Sequence, residues 1–307
     1  MSNAHNIGVV GGGLMGHGIA YLLAAGGHKV GIYEPSAEVR ATLPQRLRSI
    51  IELLGSDAAI LDRITSHERL ADAVASAAFV FEAAPEKLEL KQRIFGELET
   101  LVAPDSILAS NSSAIPSTEI GRNLKQRERV VGTHFWNPPH LVPLVEVIQT
   151  EWTSDAVVGR AIDLLAAAGR KPVHVRRDIP GFIGNRLQHA LKREAIALVA
   201  AGVCDAETID TVVKSGFGAR MAVLGPMEQS DLVGLDLTLD ISNVLTVDLD
   251  RTAGPHPFLR EKVNAGKLGM KSGEGFRTWT PEQANEVRER LRRYLAEQAK
   301  VSRDAKR

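Results

Sequence analysis

Along the first half of the chain, short apolar runs are each followed by apolar residues at helical spacing. Ile7, Val9 and Val10 form the first run and stop at Gly11, as a buried parallel strand does. Leu14, Ile19, Leu22 and Leu23 then continue as one apolar helix face, which Gly26 and Gly27 end. Further strands are predicted at 29–34, 78–83, 106–110, 129–135, 144–148 and 172–175. Between them lie helical patterns such as Leu88, Ile94, Phe95, Leu98 and Leu101. Strands alternating with helices imply an open, mostly parallel sheet with helices on both faces.

From about residue 180 the strand signals stop. Ile183, Leu187, Leu191, Ala195 and Leu198 share one stripe that Gly202 ends. Another helix is expected near Asp205, with Glu207 and Thr208 in its first turn, and more through residue 265. From Pro281 the chain is laced with charge and reads as a surface helix with a frayed basic end. The last stretch, 301–307, reads as disordered.

Length and charge narrow the field. A chain of 307 residues is too long for most single cores. Lys plus Arg and Asp plus Glu both total 37, so net charge favours neither nucleic acid nor a membrane surface. Residues 6–28 carry no charge, yet glycines and two histidines interrupt them and no basic segment precedes them, so neither a bilayer helix nor a signal peptide is expected. Cys204 is the only cysteine, which fits a cytoplasmic setting without a disulfide.

Gly11, Gly13 and Gly16, with Leu14 and Met15 between the last two, fit G-x-G-x-x-G between a strand and a helix. The first glycine allows a tight turn and the second lets the backbone approach a pyrophosphate. The third brings helix and sheet together. The next strand ends in Glu34, whose carboxylate can accept both ribose hydroxyls and would repel a 2′-phosphate, so NAD is expected over NADP. Glu82, Ala83 and Ala84 fall at another strand's carboxyl end, where ligands of such sheets bind. The fold expected is an α/β Rossmann-type N-terminal domain with a mostly parallel sheet over 1–178. An all-α domain is expected over 179–307. No metal is expected.

"THFWNPPHLVPLVEV", residues 133–147, raises the question of chemistry. Glu146 stands between valines in an extended run, and a buried carboxylate needs a partner. His134 is the obvious one. A carboxylate would fix its tautomer and stabilise its protonated ring, as hydride removal from an alcohol requires of a base. His140 follows two prolines and is expected on the loop surface. From spacing alone, a histidine beside a turn is more often structural.

Six segments in order, "GGGLMGHGIA", "SNSSAIPSTEI", "HFWNPPHLVPLVEV", "DIPGFIGNRL", "GPMEQSDLVGLD" and "GKLGMKSGEGF", resemble the 3-hydroxyacyl-CoA dehydrogenase family from end to end. The resemblance implies His134 as catalytic base, Glu146 as its orienting carboxylate, and Ser113 as the hydroxyl that bonds the reacting oxygen. It implies Asn137 in the active-site cluster, Asn185 on the substrate side, and a homodimer formed through the helical domain. Without it, Ser113 reads as a helix cap, Asn137 as a turn residue before proline and Asn185 as part of a polar helix face.

Two departures bear on the substrate. Acyl-CoA enzymes of this family present lysine to CoA from a helical hairpin, whereas this chain is shorter between Glu34 and Glu82 and has no lysine from Val30 to Glu86. Arg46 or Arg48 could substitute. "GFGARMAVLGPM" also carries Arg220, where a cleft-facing arginine could hold a small carboxylate in a bidentate pair. A surface arginine is the plain alternative. These features resemble the family's non-CoA branch of L-gulonate, carnitine and pyridine-carboxylate dehydrogenases. Oxidation of a short-chain 3-hydroxyacyl-CoA, as in fatty acid metabolism, is the first expectation and a small hydroxy-carboxylate the second. A non-catalytic NAD-binding, crystallin-like protein is the reading from another class.

Overall fold

A computed structural model describes residues 4–304. Eight strands form one sheet: β1 (Asn6–Val10), β2 (Lys29–Tyr33), β3 (Ile64–His67), β4 (Phe79–Glu82), β5 (Ile107–Ser110), β6 (Val130–Phe135), β7 (Leu144–Ile148) and β8 (Lys171–Val175). Their order is β3-β2-β1-β4-β5-β6-β7-β8. Every neighbouring pair is parallel except β6 and β7. The order reverses between β1 and β4, and a crevice opens outside the carboxyl ends of strands at such a switch point.

Helices α1 (Gly16–Ala25), α2 (Ala37–Leu54), α3 (Leu70–Val74), α4 (Leu88–Leu101), α5 (Ser117–Gly121) and α6 (Asp155–Ala167) cover the sheet. The Ser36 hydroxyl accepts from the Val39 amide to start α2, and Gly55 ends it in the left-handed region, each a favourable cap. Two large apolar clusters result, with a small third of Ile148, Val175 and Phe182. One joins Ile7, Val9, Phe81 and Phe135 to α1, α2 and α6, and the other joins Val10, Val80 and Leu108 to α3 and α4. Phe81 and Phe135 meet edge to face, with centroids 6.0 Å apart. Burying each such ring contributes roughly 1.5–3 kcal/mol.

The remaining helices are α7 (Gly184–Ala200), α8 (Ala206–Ser215), α9 (Pro226–Val233), α10 (Leu235–Leu245), α11 (Pro257–Asn264) and α12 (Pro281–Asp304). By compactness the chain divides into Arg186–Arg290 and a unit that joins residues up to Asn185 with those from Leu291 onward. In the helical unit only Gly275 and Ala284 are buried among the described residues. Its polar hub is Arg277, which bonds Asp210 at 3.1 Å, pairs with Glu207 at 3.2 Å and lies over the Trp279 ring. No helix among the described residues is long and apolar enough to cross a membrane.

Several local expectations change. Leu14 is not on the buried face of α1 but in the turn before it, 65% exposed. Strand β3 has no counterpart in the apolar pattern because "ITSH" is a half-exposed edge. The segment from Pro281 is more than a surface helix, since Ala296 is buried in the larger core cluster. Residues 301–304 continue α12, so they are not disordered, and the rest of that expectation lies outside the described residues.

Candidate active site

The cofactor half begins where β1 stops. Gly11 has φ of +100° and lies against the Ala83 carbonyl, so the turns after β1 and β4 meet at the switch point. A Cβ on Gly16 would fall 1.7 Å from the Gly11 carbonyl oxygen, so only glycine lets α1 start so close to the strand. A Cβ on Gly13 would meet nothing within 4 Å. That open space is what a pyrophosphate approaching the backbone requires. The cradle therefore fits a dinucleotide, and Gly11, Gly13, Leu14, Met15 and Gly16 are the residues placed to hold it.

Glu34 follows β2 with its carboxylate beside this turn. Oε2 accepts from the Gly12 amide at 2.9 Å and Oε1 from the Ser36 amide at 3.0 Å. The position suits a ribose. Glu82 differs: its side chain is fully buried, taking Lys91 Nζ and the Ala84 amide on Oε1 and the Ser110 hydroxyl on Oε2, each at 2.7 Å. Its carboxylate supports the strand ends from inside, and only Ala83 and Ala84 of that group face outward in part.

The acid–base pair arises from strand register. In the antiparallel pair β6–β7, His134 is directly opposite Glu146, the closest cross-strand relation a sheet offers. Nδ1 of His134 lies 2.8 Å from Glu146 Oε2, and both residues are buried. A carboxylate only accepts, so Nδ1 carries the proton and Nε2 is the basic atom of the neutral ring. The other oxygen, Oε1, accepts from the amides of Ile183 and Gly184 at 2.9 and 3.0 Å. Burial alone would push the Glu146 carboxyl up. The His134 hydrogen bond, the two amides and the histidine's charge outweigh it and hold the group below its ordinary value. Trp136 and Phe182 flank the imidazole, with centroids 5.7 and 5.5 Å away.

Ser113 sits in an exposed turn after β5. The side chain of Asn185 donates to its carbonyl at 3.1 Å. Residues 183–185 therefore tie Glu146 through backbone amides and the Ser113 turn through a side chain, which brings four expected residues into one network. Asn137 is exposed on the β6–β7 connection, and Arg220 is exposed at the end of a single helical turn, Phe217–Ala219. No described contact connects Asn137 to this network, and Arg220 belongs to the helical unit.

Two features escaped the sequence reading. Glu86 Oε1 accepts from the Ser112 hydroxyl at 2.6 Å and from the amides of Ser113, Ala114 and Ile115 at 3.0, 3.0 and 3.3 Å. Its other oxygen lies 3.3 Å from buried Lys91. Burial raises this carboxyl, but the Ser112 bond, the Ala114 amide, the Lys91 charge and the Ile115 amide together lower it. Asn111 is the second, accepting from the Phe135 amide at 2.9 Å and joining β5 to β6 next to His134. Its place inside "SNSSA" was the available signal. His140 is a correction: it is half-buried, and Pro139 and His140 pack where a side chain on Gly18 of α1 would stand.

Similarity to known proteins identifies the family. The profile of the 3-hydroxyacyl-CoA dehydrogenase NAD binding domain matches residues 6–179, and that of the 3-hydroxyacyl-CoA dehydrogenase C-terminal domain matches 181–279. A 5-formyl-3-hydroxy-2-methylpyridine 4-carboxylate 5-dehydrogenase of Mesorhizobium japonicum is 39% identical over 297 residues, 95% of this chain and 96% of its own. A 3-hydroxybutyryl-CoA dehydrogenase of Mycobacterium tuberculosis is 36% identical over 290 residues, 91% of this chain and all of its own. The crystal structure of a 5-formyl-3-hydroxy-2-methylpyridine 4-carboxylic acid 5-dehydrogenase, described as an NAD+ dependent dismutase, superimposes with a TM-score of 0.91. It is 36% identical and covers 98% of this chain and 99% of its own. With a glycine cradle for NAD and a histidine held by a buried glutamate, the chain belongs to the 3-hydroxyacyl-CoA dehydrogenase family and is an NAD-dependent dehydrogenase acting on hydroxyl groups.

Proposed function

We propose that the chain oxidises the secondary alcohol of a small free hydroxy-carboxylate, with His134 as base, and that short 3-hydroxyacyl-CoA esters are its poorer substrates. The observation that carries the preference lies between β2 and β3, where the chain forms one helix, α2, and a short turn, Ala58–Arg63, with no lysine from Val30 to Glu86. CoA brings several phosphate charges that need cations. Arg46 and Arg48 are two positions apart on α2, one half-buried and the other exposed, so they do not face one ligand together. The pyridine-carboxylate relative is named for a free carboxylate and not a thioester, which supports the free-acid part of this reading. Arg220 is assigned the substrate carboxylate.

In this mechanism His134 Nε2 takes the hydroxyl proton as the carbon–hydrogen bond breaks. Glu146, kept ionised by its three hydrogen bonds, offsets the charge that develops on the ring. Ser113 is assigned the reacting oxygen, Asn185 fixes the serine's turn, and Asn137 is assigned a place beside the substrate. Bound NAD supplies the hydride acceptor. The products are a ketone, NADH and the proton on His134, which leaves to solvent.

NADH formation is to be followed with free hydroxy acids and with 3-hydroxybutyryl-CoA. The expected result is a higher kcat/KM for a free acid, falling about 10- to 100-fold in Arg220→Met, as loss of a charge-assisted pair implies. Preference for the thioester, untouched by that substitution, would establish the acyl-CoA reading instead. NADH binding without turnover of any substrate would favour the non-catalytic one.

A homodimer belongs to the same proposal. Helix α10 exposes Leu235, Leu237, Leu239, Ile241, Val244 and Leu245, and so many large apolar side chains on one helix mark a surface that another chain covers. A second copy, covering these residues with its own, is the occupant expected from closed symmetry. Sedimentation at low concentration checks this, and a monomer with intact helical content rejects it.

A further inference from the structure

The loop that joins β8 to α7 carries a backbone outlier. Phe182 has φ of +50°, and among the described residues Ser76 is the only other non-glycine with a positive φ. A large side chain in that region crowds its own backbone, so the conformation costs free energy and persists only where its surroundings enforce it. Phe182 is fully buried and packs with Ile148 of β7 and Val175 at the end of β8, and burial of its ring offsets the strain. Glycine takes such a backbone freely, as the preceding Gly181 does with φ of +76°. A phenylalanine at this position supplies a ring and a turn together.

Both reach the acid–base pair. The ring lies against the His134 imidazole, with centroids 5.5 Å apart. The next two amides, of Ile183 and Gly184, both donate to Glu146 Oε1, at 2.9 and 3.0 Å. Successive amides can meet one acceptor where the chain turns through a positive φ, which is how backbone loops bind anions. Gly184 tightens the fit, because a Cβ on it would stand 2.3 Å from the Trp136 indole, which also flanks the imidazole. Burial pushes the Glu146 carboxyl up, and the His134 hydrogen bond followed by these two amides holds it below its ordinary value.

We propose that Phe182 is a positioning residue of the reaction: its left-handed backbone directs two amides onto Glu146, and its ring holds the imidazole that Glu146 orients. The proposal rests on His134 as the base. Leucine and isoleucine separate the two contributions. They have the same atoms, so packing treats them nearly alike, but branching at Cβ makes isoleucine far less tolerant of a positive φ.

In the full-length chain, Phe182→Ile should have a kcat at least ~10-fold below that of Phe182→Leu, with the same KM for NAD. Melting temperature against pH gives a reading without substrate. A carboxyl held below its unfolded value stabilises above that value, and the gain is lost as pH falls through the folded one. Glu146 without its amides should lose less on the acid side, so Phe182→Ile should show a shallower slope than Phe182→Leu. The two isomers carry the same charges, His134 included, so the difference reports the amides. Equal kcat or coincident slopes in the two isomers overturns the proposal. Normal turnover in His134→Ala would reassign the base, and the slopes would still test the hold on Glu146. Phe182→Gly covers an isoleucine chain that does not fold. Glycine keeps the turn, so its acid-side slope should match wild type, and a shallower one overturns the proposal.

Discussion

His134 on β6 and Glu146 on β7 stand opposite each other across the one antiparallel pair of the sheet, with Nδ1 2.8 Å from Oε2. The twelve-residue separation is closed by the turn at Pro138 and Pro139, and the two amides at 183 and 184 fix the far side of the carboxylate. The chemistry of the site follows from this relation.

Replacing His134 with Ala should reduce turnover at least ~100-fold, the usual worth of a positioned base, while NAD affinity stays near wild type. Steady-state rates and NADH fluorescence titration check both halves. A variant with normal turnover would remove His134 as the base.

Glu146→Gln offers an amide N–H to Nδ1 and so favours the tautomer with the proton on Nε2. Turnover should fall roughly 100-fold or more, as when the carboxylate behind a catalytic histidine becomes an amide. The same variant has a pH signature. The folded Glu146 carboxyl lies below its ordinary, unfolded value. Its stabilisation is therefore present above the unfolded value and is lost as pH falls through the folded one. Melting temperature against pH should drop less steeply on the acid side in Glu146→Gln, and coincident slopes would contradict the assignment.

Glu86 positions the serine turn through four donors on one oxygen. Glu86→Ala should lower kcat about 10-fold with little change in the KM for NAD, and cost about 2–3 kcal/mol of stability. Glu86→Gln, which keeps one acceptor, should recover part of kcat. An unchanged kcat in the alanine variant would make Glu86 structural only.

Two glycines of the cradle should behave oppositely. Gly16→Ala drives a methyl into the Gly11 carbonyl and should lower the melting temperature. Gly13→Ala meets no protein atom, so it should melt like wild type while NADH affinity falls at least ~10-fold through loss of close approach. Equal NADH affinity in Gly13→Ala would place the pyrophosphate elsewhere.

The cofactor half was legible because its requirements are local. Gly11, Gly13 and Gly16 answer to backbone geometry within one turn, and the apolar runs of β1 and β4 show burial directly. The edge strand β3 was not, because a half-exposed strand need not be apolar. Glu146 announced that it needed a partner, and its register with His134 supplied one. Glu86 gave no such signal, since an acid in a loop reads as solvated until three amides from another loop fold round it.

Sequence alone determined most of the sheet-and-helix order and the glycine turn, because periodicity and turn chemistry act over a few neighbours, and it offered His134 and Glu146 as a candidate pair. Tertiary structure decided what depends on distant segments meeting. It buried Glu82 against Lys91, set Ser113 on Glu86, drew His140 against Gly18 and returned Ala296 to the core. A carboxylate or an imidazole has the same character in any loop, and only the groups packed around it determine whether it binds, supports or reacts.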